Sequence, residues 1–154
     1  MSKQTFGFQE QLNIGNKGEK DFLRYFKELE PKKSEAREVD FILKNGKTCE
    51  LKSDSYLMEE TPNYFMEMFS NTESGSLGGP FRAAQDNVDY FIYYFPKNKV
   101  FHWFETQKLC KLVEEKILIL KLKPKNIRNK GWTTSGYCVP RSELESILIR
   151  KDVF

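Results

Sequence analysis

Histidine is nearly absent from this chain, and His102 is the single one in 154 residues. A zinc centre built on imidazoles or a Ser-His-Asp triad therefore has little material to work with. His102 lies inside Phe101-His102-Trp103-Phe104 and reads as a structural residue. Cysteine is scarce too. Cys49, Cys110 and Cys138 are odd in number and far apart. That argues against a thiolate metal cluster and for reduced thiols, so an intracellular, cytoplasmic protein is expected. No apolar run approaches the ~20 residues of a membrane span, and the first residues carry no secretory pattern. No membrane partner is expected. Internal repeats and low-complexity tracts are also missing. Gly78-Gly79-Pro80 lacks the Gly-Lys-Ser/Thr ending of a nucleotide-binding loop.

Charged residues make up 31% and hydrophobic ones 39%, which suits one globular domain over residues 1–154. The net charge of +3 hides an asymmetry. Residues 1–96 hold 12 Lys and Arg against 16 Asp and Glu, whereas residues 97–154 hold 13 against 6. The basic part would attract a phosphate backbone while the acidic part supplies metal ligands; a solvated lysine surface is the plainer reading.

The most informative stretch is residues 39–52, Val-Asp-Phe-Ile-Leu-Lys-Asn-Gly-Lys-Thr-Cys-Glu-Leu-Lys. It reads as two short strands joined at Asn45-Gly46. Glu50 and Lys52 share a face because side chains alternate along a strand. The turn decides whether Asp40 joins them. A two-residue loop sets Asp40 opposite Leu51. A three-residue loop, Lys44-Asn45-Gly46 with Gly46 left-handed, sets Asp40 opposite Glu50. The second register gathers Val39, Phe41, Leu43, Cys49 and Leu51 on one face and leaves the charges on the other. Burial fixes register in half-buried sheets, so the second is expected.

Two adjacent carboxylates repel, and a divalent cation between them removes the conflict. Mg²⁺ takes hard oxygen ligands, commonly one or two carboxylates with water and substrate phosphate. An ammonium beside it stabilises charge on a phosphate under attack. The alternative is a solvated sheet face with a cross-strand ion pair.

Val39-Asp40, nine intervening residues and Glu50-Leu51-Lys52 resemble the PD-(D/E)xK nuclease superfamily, with Val39 at the proline position. The resemblance implies a restriction-endonuclease-like α/β core: a mixed sheet flanked by helices in the order helix, three strands, helix, strand. It implies Mg²⁺, with Mn²⁺ as substitute, held by Asp40, Glu50 and the Leu51 carbonyl, while Lys52 activates water and stabilises the phosphate. Relatives of the archaeal junction-resolvase and RecB types carry a glutamate in the first helix that reaches the metal, and Gly18-Glu19 fits that pattern. The implied activity is an endodeoxyribonuclease on DNA, with branched DNA among the candidate substrates. The short length suits small phage-type and junction-resolving members, which are often homodimers. The alternative is a nucleic-acid-binding protein on the same fold without turnover.

Around this motif the patterning predicts a helix from Gly18 to Leu29, a charged loop or frayed strand over residues 32–38 and a third strand over Asn63–Phe69. It predicts a mobile loop over Ser70–Pro80, a helix over Phe81–Asn87 and a doubly buried strand over Val88–Phe95. A strand over Val100–Phe104, a helix over Glu105–Lys116, strand character in Ile117–Lys123 and a final helix from Ser142 follow. The nuclease core then covers about residues 18–104, with basic additions over 105–154. Glu19 sits on the apolar side of its helix, and its plainer role is to face the helix N-terminus. Glu67 is an outer partner for Lys52 or for water at the metal, or an edge residue in solvent. The N-terminal amides of the helix opened by Gly78-Gly79-Pro80, with Arg82, would meet a phosphate; a glycine hinge and an ordinary helix start is the plainer reading. Lys125, Arg128, Lys130 and Trp132 form a basic, aromatic-bearing segment suited to nucleic acid, or a solvated loop.

Overall fold

A computed structural model describes residues 8–36 and 39–154. The readings for residues 1–7 and for Arg37-Glu38 fall outside the described residues. Helix α1 spans Phe8–Tyr25, ten residues earlier than the periodicity indicated, and a short 3-10 turn covers Lys27–Leu29. Pro31 and a left-handed Glu30 end it. Strands β1 (Lys32–Lys33), β2 (Phe41–Ile42) and β3 (Thr48–Ser53) follow. Next come β4 (Asn63–Asn71), β5 (Ser76–Leu77) and α2 (Gly79–Gln85). The chain continues through β6 (Tyr90–Phe95), β7 (Val100–Glu105), α3 (Thr106–Ile119), β8 (Lys125–Arg128), β9 (Thr133–Pro140) and β10 (Leu148–Val153).

The architecture is α/β, with helices against a mixed sheet. Six strands run in the order β1-β2-β3-β6-β7-β10. Only β3 and β6 pair in parallel, and the remaining neighbours are antiparallel. The connection between β3 and β6 contains β4, β5 and α2. A second, antiparallel sheet runs β5-β4-β9-β8.

Strand β6 shows why the core has two sides. Ile92 and Tyr94 join Phe22 and Phe26 of α1, with Phe41, Leu43, Cys49, Phe101 and Trp103. Phe91, Tyr93 and Phe95 join Tyr64 and Met66 of the second sheet, Ala83 of α2 and Leu109 and Val113 of α3. An aromatic strand without an exposed face is what its continuous apolar pattern requires. Burial of each such side chain contributes roughly 1.5–3 kcal/mol. His102 belongs to this interior, its Nδ1 2.7 Å from the Tyr64 hydroxyl.

Several local expectations are corrected. Asn63–Phe69 does form a strand, but it belongs to the second sheet. Residues 70–80 build the β4–β5 hairpin and the start of α2 instead of a long loop. Ile117–Ile119 continues α3, because Leu118 and Ile119 face solvent at 78% and 67% exposure and have no sheet to join. Lys125–Arg128 and Thr133–Pro140 make a hairpin, so the basic segment read as a solvated loop is partly strand. Residues 141–147 form a 3-10 segment that buries Leu144, and β10 then closes the main sheet on β7. Val39 packs with the Phe91 side of the core and not with Phe41. Among the described residues no helix is long and apolar enough to cross a membrane.

Candidate active site

The hairpin at residues 39–52 takes the three-residue loop. Leu43 N–H donates to Lys47 O (2.8 Å), Gly46 N–H donates to Leu43 O (2.9 Å), and Gly46 has φ +84°. That φ lies where side chains with a Cβ are disfavoured. Phe41 pairs with Cys49 and Ile42 with Thr48. Beyond Phe41 the ladder is irregular, and Asp40 lies near enough to Glu50 for its charge to raise the Glu50 carboxyl. Phe41, Leu43 and Cys49 are buried against α1, so the apolar face fixed the register as expected.

At Asp40 strand β2 leaves the sheet. Its N–H still donates to Cys49 O (3.0 Å), and its carboxylate Oδ2 accepts the Leu51 N–H at 2.8 Å. The side chain thus satisfies a backbone donor on β3 that has lost its strand neighbour. Helix α1 crosses β3 closely at Gly18, where an added Cβ would lie 2.1 Å from Ser53 Oγ. One turn of this helix carries Glu19, whose Oε2 is 2.9 Å from Lys33 Nζ of β1. Helix α2 brings Arg82, whose Nη2 is 2.9 Å from Glu50 Oε1 and whose Nη1 is 3.2 Å from Asp86.

Three carboxylates, Glu19, Asp40 and Glu50, thus lie between two cations, Lys33 on Glu19 and Arg82 on Glu50. Burial pushes the Glu50 carboxyl up to about 8; Asp40 adds to the rise, and Arg82 opposes it. Asp40 is also raised, chiefly by burial, against the Leu51 N–H, which favours its ionised form. Among the described residues Glu50 Oε2 is buried and has no hydrogen-bond partner. Such an oxygen costs on the order of 1–3 kcal/mol unless something pairs with it.

A cavity of about 200 Å³ opens beside this pair, lined by Glu50, Lys52, Glu67, Ser70, Gly78 and Arg82 among others. Glu67 reaches it from the second sheet. Its Oε2 fills the space above Gly78, where a Cβ would come within 1.9 Å. Among the described residues Lys52 forms no ion pair, so its ammonium is available to the cavity.

Asp40, Glu50, Lys52, Glu67 and Arg82 thus share one neighbourhood, with the Leu51 backbone between them. Glu19 stands next to Asp40, near enough to raise its pKa, but is engaged by Lys33. Among the described residues no three of His, Cys, Asp and Glu converge on one ion-sized point. The basic residues of the β8–β9 hairpin lie apart from Arg82. Arg128 pairs with Glu73 (3.6 Å), Lys130 pairs with Glu10 (3.6 Å), and Lys125 is exposed. Trp132 is half-buried in the hairpin turn, where its carbonyl accepts the Asn129 N–H (2.7 Å). This hairpin still touches the cavity wall, since Thr134 Oγ1 donates to Ser70 O (3.1 Å).

Two partners escaped the sequence reading. Lys33 stood in a charged loop with nothing to single it out, and the Arg82–Glu50 pair spans 32 residues and two elements. Compared with protein-family models, curated proteins and solved structures, the chain matches none.

Proposed function

We propose that the chain is a Mg²⁺-dependent endonuclease of the PD-(D/E)xK type acting on DNA. The observation that carries this reading is the hairpin register. It brings Asp40 near Glu50, places Glu50 and Lys52 on one cavity wall and, among the described residues, leaves Glu50 Oε2 buried without a partner. The element order supports it: α1, then β1, β2 and β3, then α2, then β6 parallel to β3, with the β4–β5 hairpin inserted between.

The donor set suits a hard cation. Asp40 and Glu50 offer carboxylate oxygens whose proton affinities are raised, chiefly by burial, and a bound cation would favour their ionised forms. Asp40, Glu50 and the Leu51 carbonyl would hold Mg²⁺, with Glu19 extending the set. Bound there, the ion supplies Lewis acidity toward a phosphate oxygen. Lys52 contributes a positive charge to the phosphate under attack and a donor that orients water. Glu67 lines the same cavity, as an outer partner for Lys52 or for water at the ion. Arg82 neutralises Glu50 when no cation is bound, and is free to contact a phosphate once one is.

That seat of Arg82 on Glu50 favours a second reading, a nucleic-acid-binding protein on the same fold without turnover. Incubating the protein with labelled linear duplex, single strand and four-way junction, in Mg²⁺, Mn²⁺ or chelator, separates the two. Cutting that needs the metal supports the nuclease, and the preferred DNA defines its task. Retention of DNA with no product in any metal supports the second reading.

A further inference from the structure

We propose that the chain forms a two-fold symmetric homodimer through α3, with Leu118 of each copy seated in the apolar groove beside α3 of the other. The inference is independent of the nuclease reading.

The groove is the larger of the two cavities described, at about 590 Å³. Its apolar side is Met68, Phe69, Leu77 and Phe81, all half-buried, and its other side is α3, through Gln107, Cys110, Lys111 and Glu114. Gln107 closes one end by donating to Ala84 O (2.9 Å). Half-buried side chains from three elements around an open space leave apolar surface in water.

The same helix carries the most exposed large apolar residue described. Leu118 is 78% exposed, and the end of α3 dictates that. Leu122 N–H donates to Ile117 O (3.0 Å) and Lys121, left-handed at φ 53°, donates to Leu118 O (3.3 Å). This paired closure of a helix end folds Ile117 and Leu122 onto the core, where both pack. Leu118 is thereby held outward on an ordered turn.

Helix periodicity joins the two features. Gln107, Lys111, Glu114 and Leu118 follow at intervals of four, three and four, so they form one stripe along α3. Among the described residues neither Lys111 nor Glu114 forms an ion pair. If a second α3 runs antiparallel across a two-fold axis between these positions, Lys111 meets the partner's Glu114 and Glu114 meets the partner's Lys111. The same register carries Leu118 to the partner's Gln107, at the closed end of the groove near Phe81 and Ala84. One stripe thus supplies charge complementarity and an apolar knob for an apolar hole, twice, as an isologous interface requires.

Sedimentation equilibrium of the full chain tests this. Native protein should be dimeric at about 100 µM, and Leu118→Asp should weaken association at least ~30-fold. Lys111→Glu and Glu114→Lys each place like charges across the axis and should each weaken it ~10-fold. Mixed one to one, those two variants should recover a heterodimer of near-native affinity, because both pairs are again opposite in sign. Circular dichroism that matches the native spectrum checks that the exposed substitutions leave the fold intact. A native protein that stays monomeric at that concentration overturns the proposal. So does a dimer indifferent to Leu118→Asp, or a mixture that shows no recovery.

Discussion

Replacing Glu50 by Gln should stabilise the protein in alkaline buffer and do little in acid. In the unfolded chain a glutamate titrates near 4.5, whereas the folded Glu50 is pushed up to about 8 by burial and by Asp40. Between those values the folded state holds a proton that the unfolded state has released, so stability falls as pH rises from 4.5 through about 8. At about 1.4 kcal/mol per unit, complete ionisation costs as much as about 5 kcal/mol. The glutamine has no such penalty, and the Arg82 contact is already contained in the folded value of about 8. A net gain of up to about 5 kcal/mol above pH 9 follows, or roughly 10–20 °C in melting temperature for a domain of this size. At pH 5.5 the difference should shrink to within ~1 kcal/mol, since Glu50 is then already neutral. Thermal melts of both proteins in metal-free buffers from pH 5.5 to 9.5 measure this. Added Mg²⁺ should stabilise only the native protein, by mass action. A variant less stable than native by the same amount at every pH would refute the reasoning and make Glu50 a plain ion-pair partner of Arg82.

Lys52→Ala should lower single-turnover cleavage at least ~100-fold while DNA retention in a gel-shift assay changes little, because Lys52 lines the cavity without holding the fold together. Gly79→Ala should cost about 2–4 kcal/mol in calorimetry, since Gly79 has φ +51° and an added Cβ would come 2.5 Å from the Glu67 backbone oxygen. The affinity for Mn²⁺, followed by titration, should rise with pH up to about 8 and level off as Glu50 loses its proton. His102 works with the opposite sign to Glu50. Burial lowers it from 6.5 to about 4, so the stability it contributes is lost as pH falls through that interval, and His102→Gln should flatten the acid limb of a melting-temperature profile.

Local patterns made the hairpin legible. Gly46 and the alternation of Phe41, Leu43 and Cys49 carried enough information to select one register, Phe41 against Cys49 and Ile42 against Thr48. Strand β6 was equally plain, because eight nearly continuous apolar residues leave few alternatives. The partners of a strand lie far away in sequence, and there the reading stopped. Nothing in Asn63–Phe69 says that it pairs with residues 133–140 in a separate sheet instead of with β3. The run Ile117–Lys123 alternates like a strand, yet it continues a helix already under way, and its alternation comes from a helix end that turns Leu118 and Ile119 to water. The segment from Ser142 reads as a helix because Leu144, Ile147 and Leu148 suit helical spacing, yet it adopts 3-10 turns over 141–147 and gives way to β10. At the site, Lys33 and Arg82 became visible as partners of Glu19 and Glu50 only when β1 and α2 were in place.

The most direct test compares native protein with an Asp40→Asn/Glu50→Gln double variant for cleavage of labelled DNA in Mg²⁺, at equal enzyme and after both are shown to be folded. The account predicts Mg²⁺-dependent product from the native protein and at least ~1000-fold less from the variant, since both carboxylates proposed to hold the ion are gone. Equal cleavage by the two proteins, or cleavage that persists in chelator, would contradict it.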